Sequence, residues 1–110
     1  MTLDKTGVVD AIGIESDSGK VVLTVADSWD WADEKTHLLA LQDKLNAYLQ
    51  YIEEGELLRS YPDAIGRKTV IDVICRYPVP LIGREFLKRA QGAGAELEIE
   101  IRSRFVPGRL

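Results

Sequence analysis

WADEKTHLLALQDKLNAYLQYIEEG, Trp31 to Gly55, is the stretch on which the fold turns. Its apolar residues fall at Leu38, Leu41, Leu45, Leu49 and Ile52, three or four apart, which is one face of an α-helix. On helical geometry Trp31, Glu34 and Tyr48 lie on or beside that face. Thr36, Ala40, Asp43, Ala47, Gln50 and Glu54, all small or polar, occupy the other side. Gly55 supplies the left-handed position that commonly stops a helix. A helix of this span is roughly 36 Å long. Its apolar stripe predicts that it is the main buttress of the core.

Upstream, VVDAIGIE (Val8 to Glu15) and KVVLTVAD (Lys20 to Asp27) are rich in β-formers and flank SDSG, which predicts a hairpin with a four-residue loop. Gly13 marks a candidate bulge. Downstream, ELLRSYPDAIGRK reads as a connector, with a short helical turn at Leu57 and Leu58 and a chain turn at Tyr61-Pro62-Asp63. TVIDVICRY (Thr69 to Tyr77) is a third strand, with Ile71, Val73, Cys75 and Tyr77 on one face and Val70, Asp72, Ile74 and Arg76 on the other. After PVP, LIGREFLKRAQG forms a short second helix. Ile82, Phe86, Leu87 and Ala90 face inward, Arg84, Lys88 and Arg89 outward, and Gly92 and Gly94 end it. ELEIEIRSRF is the fourth strand, alternating Leu97, Ile99, Ile101 and Phe105 against Glu96, Glu98, Glu100, Arg102 and Arg104.

The order ββαβαβ predicts an α+β two-layer sandwich: a four-stranded sheet with two helices on one face. The whole chain, residues 1–110, reads as one domain, with 105–110 as a loose tail. Strand order stays open. A direct crossover would make neighbouring strands parallel, whereas the long connector could return the chain and make the third strand antiparallel.

The composition is that of an ordinary globular domain, 45% hydrophobic and 29% charged. One cysteine, Cys75, excludes an internal disulfide and lies in an apolar run, which predicts a buried, inert thiol. MTLDKTG is not the start of a signal peptide and no run is long enough to span a bilayer, so a cytoplasmic location is expected. The net charge of −4 argues against nucleic-acid binding. Residues 1–55 carry −7 and residues 56–110 carry +3, so the halves can pair with one another or leave a basic patch for an acidic partner.

DSWDWADEKTHLLALQ, Asp27 to Gln42, contains both tryptophans and the only histidine. Asp30, Asp33, Glu34 and His37 share one arc of the helix, and Asp33 and His37 are four apart, so their heads can meet. With Trp29 they form the candidate ligand cluster, of a type suited to a divalent metal or to acid–base work. No second histidine or cysteine completes a zinc site, and no nucleophile motif or phosphate-binding glycine loop is present. The plainer reading is a helix start: Asp30 as the cap, Asp33 at N3, and Trp29 as the residue that staples the turn. The expectation is therefore no catalytic residue, no cofactor and no metal site.

The function expected is a small non-enzymatic protein-binding or accessory domain whose partner is another protein or a second copy in a homodimer, not nucleic acid or membrane. Its predicted surface is the outer sheet face: Val70, Asp72, Ile74, Arg76, Glu96, Glu98, Glu100, Arg102 and Arg104. The alternative is a small metal-dependent ligand binder or enzyme using Asp30, Asp33, Glu34 and His37. WDWADEKTHLLALQDKLNAYLQYIEEGEL together with YPDAIGRK resembles an uncharacterised family of small bacterial domains of unknown function. The shared pattern is W-D-W, H-L-x-x-L-Q, N-x-Y-L, E-G-E and Y-P. The resemblance implies a bacterial α+β domain and supplies no substrate, cofactor or site.

Overall fold

A computed structural model describes residues 3–108. The elements run β1 (Ala11–Ile14), β2 (Val21–Asp27), α1 (Glu34–Glu53), α2 (Glu56–Ser60), a 3-10 turn (Pro62–Ala64), β3 (Thr69–Cys75), α3 (Leu81–Glu96) and β4 (Ile99–Phe105). They form one mixed sheet of order β1-β2-β3-β4. β1 is antiparallel to β2, while β2, β3 and β4 are mutually parallel. Each crossover steps the same way across the sheet, so two crossovers of the same hand bring α1 and α3 to one face, where they touch.

Both helices cover the inner face, where Val21, Leu23, Val25, Ile71, Val73, Cys75, Ile99 and Ile101 are buried. From α1 come Leu41, Leu45 and Tyr48, and from α3 comes Leu87. Leu49 and Ile52 are half-buried against the same core. Gly55 holds φ +83°, the left-handed conformation expected after α1, and from it the chain enters α2. Leu57 and Ala64 bury the connector. It is packed on the domain, and β3 returns parallel to β2.

Several boundaries differ from the sequence pattern. β1 begins at Ala11 rather than Val8, because the backbone of Val8 and Asp10 is engaged by side chains of α1. β3 stops at Cys75, so Tyr77 lies beyond it. α3 continues through Gly92 and Gly94 to Glu96. A Cβ on Gly94 would come within 2.7 Å of the Ile99 carbonyl oxygen and 3.0 Å of the Ile101 side chain. The glycine is there to let the helix lie against β4; tertiary packing outweighs its low helix propensity. Glu96 is therefore helical, and Glu98 turns the chain at φ +60°. Neither belongs to the outer face of β4. Leu97 caps α3 and is exposed instead of inward, and Ile82 is likewise exposed. Phe105 ends β4 and Val106 donates its N–H to the Cys75 carbonyl, so the expected loose tail does not begin at 105. Residues 109–110 lie outside the described residues.

Candidate functional site

The carboxyl end of β2 and the start of α1 build the chemically densest part of the protein. Val21, Leu23, Val25 and Asp27 point alternately to the inner face, so the strand delivers the Asp27 carboxylate beneath α1. Its Oδ2 lies 2.6 Å from His37 Nε2, and both side chains are 1% exposed. His37 Nδ1 lies 2.8 Å from the carbonyl oxygen of Asp30. A carbonyl oxygen only accepts, so Nδ1 carries a proton, and a second proton lies between Nε2 and Oδ2. Asp27 Oδ1 accepts the N–H of Trp29 at 3.2 Å. Trp31 stacks on the imidazole with ring centroids 3.6 Å apart and planes 12° apart, and Trp29 meets its edge at 5.8 Å. Trp31 thus packs on His37 and α3 rather than directly on the sheet; a Cβ at Gly83 would come within 2.8 Å of the indole. The indole N–H is buried and finds no partner among the described residues.

The predicted ligand cluster does not converge. Asp33 is the true N-cap of α1. It accepts the Thr36 N–H at 3.1 Å and the Thr36 hydroxyl at 2.8 Å, and these bonds hold its carboxyl below the usual range. Asp30 closes a local turn onto the Ala32 N–H. It is therefore not the cap the sequence pattern predicts. Glu34 is exposed in the first turn. His37 turns away from Asp33 toward Asp27, the acid that lies outside the four-residue arc. An open depression of about 410 Å³ over this site is lined by Ser28, Trp29, Asp30, Ala32, Asp33, Thr36, His37 and Tyr77. No group of three potential metal-ligating side chains occurs among the described residues.

A second buried polar cluster lies about two helical turns further along α1. Lys44 Nζ is fully buried and donates to the carbonyls of Lys5 (2.6 Å) and Val8 (2.8 Å) and to Asp10 Oδ1 (3.1 Å). Asp10 Oδ2 accepts the Ala26 N–H. The Tyr48 hydroxyl donates to the Thr24 carbonyl and accepts the Asp10 N–H; burial raises its pKa. The N-terminal arm, with Leu3 in the core, is thereby tied to α1 and β2. Neither Asp27 nor Lys44 stands out in the sequence as a site. The signal is parity and periodicity: Asp27 continues the inward positions of β2, and Lys44 falls between Leu41 and Tyr48 on the buried stripe.

On the outer face the structure gathers Val70, Asp72, Ile74, Glu100, Arg102 and Arg104. It leaves out Arg76, which is exposed past the end of β3 with its guanidinium over Tyr77. It also leaves out Glu96 and Glu98. Val70 and Asp72 are closed over by the protein itself. Arg102 reaches Glu15 at 2.8 Å and Lys20 reaches Glu100 at 3.0 Å. Both pairs join the β1–β2 hairpin to β4 across β3. Arg104 pairs with Asp72 at 3.1 Å, while Arg102 Nε is 3.5 Å from Asp72 Oδ1, too long to satisfy that oxygen. The Glu15 carboxylate raises the pKa of Arg102, and Arg102 lowers that of Glu15. Burial, followed by the charges of Asp27 and Asp72, pushes the Cys75 thiol up to about 12, so the expected inert thiol is a neutral buried group.

No helix among the described residues is long and apolar enough to cross a membrane. A model of a family of unknown function, DUF6572, matches residues 1–107, and the chain belongs to that family. No curated protein and no solved structure matches the chain.

Proposed function

We propose that this member of the family is a cytoplasmic, non-enzymatic protein-binding domain, and that it binds along the β4 side of its sheet. The observation that carries this reading is an open sheet edge. β4 is the last strand of the sheet; Phe105 at its end is 50% exposed, and Leu97, which caps α3 two residues before the strand begins, is 39% exposed. An unpaired strand edge bordered by exposed apolar side chains is a common protein-recognition surface. The centre of the outer face contributes less than its sequence suggests, because Val70 and Asp72 are already buried and Asp72 is paired with Arg104.

The competing reading, a metal-dependent ligand binder or enzyme at Asp30, Asp33, Glu34 and His37, needs a ring nitrogen of His37 to be free. Both are engaged, and the ring is enclosed by two tryptophans. The test is NMR of the isotopically labelled chain in fractionated lysate of its own organism. Perturbed signals at Ile101, Ser103 and Phe105 are expected. Signals that move only at His37, Trp29 and Ser28 would transfer the function to the depression, and an unchanged spectrum in every fraction would refute binding.

A further inference from the structure

Resting on that reading, we infer that the groove between α3 and β4 receives an extended acidic segment of a partner protein, which adds as a strand to β4. The backbone argument comes first. Val106 donates its N–H to the Cys75 carbonyl, and β3 and β4 pair in parallel register from Thr69↔Ile99 to Cys75↔Phe105. In a parallel ladder the polar groups of alternate residues face opposite sides. Even-numbered residues of β4 therefore bond to β3, and Ile101, Ser103 and Phe105 turn their N–H and C=O groups to the open edge. Ile99 does so as well, but its carbonyl is closed off by Gly94 of α3. The available edge is Ile101 to Phe105.

The side chains along that edge select the chemistry. A cavity of about 550 Å³ between α3 and β4 has Val79, Leu87 and Phe105 in its apolar lining and Arg84, Lys88 and Arg104 among its polar residues. Arg84 and Lys88 are exposed and make no ion pair with the described residues, and Arg104 shares its charge with Asp72 across the outer face. No acidic side chain lines this cavity. A strand laid on β4 would direct alternate side chains into the groove and onto the outer face, and would meet cations on both sides. An extended peptide alternating acidic and apolar residues satisfies the edge amides, the apolar lining and the cations together. The same cations oppose a second copy of this edge, because two-fold pairing of β4 would bring two basic margins together.

The test uses the full chain and a short fluorescein-labelled peptide alternating glutamate and valine, followed by fluorescence anisotropy. Saturable binding is expected, weakening steeply as salt rises, with no binding of the lysine–valine counterpart. Arg84→Glu with Lys88→Glu should weaken binding by about tenfold or more. Arg89→Glu, outside the groove on the same helix, should leave it unchanged. Ser103→Pro removes an N–H that faces away from β3, so the sheet can tolerate it while strand addition cannot. Should that variant misfold, alternate N-methylation of the peptide removes the same donors without touching the protein, and binding should again be lost. Equal binding of both peptides, or binding indifferent to N-methylation, would overturn the inference. So would a concentration-dependent dimer in sedimentation that Ser103→Pro dissociates, which would assign the edge to a second copy. If the peptide fails while lysate still perturbs β4, the partner chemistry is wrong and the protein-binding reading stands.

Discussion

Two buried polar side chains of α1, His37 and Lys44, are anchored in contrasting ways. His37 is held by neighbours in the turn that starts the helix, Trp29, Asp30 and Trp31, and by Asp27 at the end of β2. Lys44 is held by a segment more than thirty residues earlier in the chain, through two backbone carbonyls and Asp10. The first cluster fixes how the helix leaves the sheet. The second fastens an arm without regular structure of its own. A lysine with three acceptors for its three donors has its hydrogen-bonding capacity filled, which is how a fully buried ammonium is tolerated. An aspartate–histidine pair packed against two indoles reaches the same end by engaging both ring nitrogens, one with a carboxylate and one with a backbone carbonyl.

The largest effect should come from breaking the arm anchor. Lys44→Met leaves the Asp10 carboxylate and two carbonyls buried without their partner, at a cost of about 3–5 kcal/mol. Urea melts check the loss, and amide exchange should show the arm released before the sheet. If the arm stays protected, the ammonium is not its anchor. A smaller loss is expected at the aromatic cluster from Gly83→Ala, because the added methyl meets Val79 at 2.5 Å and Trp31 at 2.8 Å. Overpacking of this kind costs about 1–3 kcal/mol. It should also shift the tryptophan fluorescence as Trp31 is pushed off His37. Gly92→Ala in the same helix meets nothing within 4 Å and is a control that should stabilise by up to about 1 kcal/mol. Equal losses at both glycines would mean that helix backbone, rather than the Trp31 contact, governs this region.

The smallest effect separates the two clusters by pH. Thr36 lowers the folded pKa of Asp33 beneath its ordinary value of 3.8. Its contribution to stability is therefore present above the unfolded pKa and lost as pH falls through the folded one. Asp33→Ala should flatten stability against pH in that acid range and leave the arm's exchange untouched. An unchanged acid limb would show that the cap bond adds nothing. Cys75 offers a check on the intact core: with its pKa pushed up to about 12, it should react with alkylating reagents only as fast as the protein opens.

The long amphipathic stretch of α1 and the alternation of β3 carried most of the fold. Leu41 and Leu45 are buried as their spacing predicts, and the facing of Ile71, Val73 and Cys75 against Val70, Asp72 and Ile74 agrees with the ladder. The end of α3 departs from the sequence pattern for a physical reason. Gly92 and Gly94 are weak helix formers, yet Gly94 is needed where the helix backbone touches β4, a contact between segments that local propensity does not encode. The extended alternation assigned to Glu96, Leu97 and Glu98 failed at the positive φ of Glu98. Two members of the predicted surface were lost with it.

The candidate site was half legible. The residues of DSWDWADEKTHLLALQ do meet, but His37 takes Asp27 across the turn instead of Asp33 along the helix. Helical spacing shows only which side chains are near one another within one element; the competing partner came from a strand. The outer face shows the same limit. Its charges were legible as alternation along β4, while the cross-sheet pairs Glu15–Arg102 and Lys20–Glu100 needed strand order and register.

Sequence alone determined the elements of this protein: an amphipathic helix with its stop, alternating strands and a Pro-marked connector, because hydrophobic period and backbone restriction are local properties. Only the tertiary structure decided that β2, β3 and β4 run parallel, that Lys44 and His37 lie inside, and that β4 leaves a basic edge open. Those depend on which distant groups meet. A buried charge is tolerated only when partners from other segments complete its hydrogen bonds.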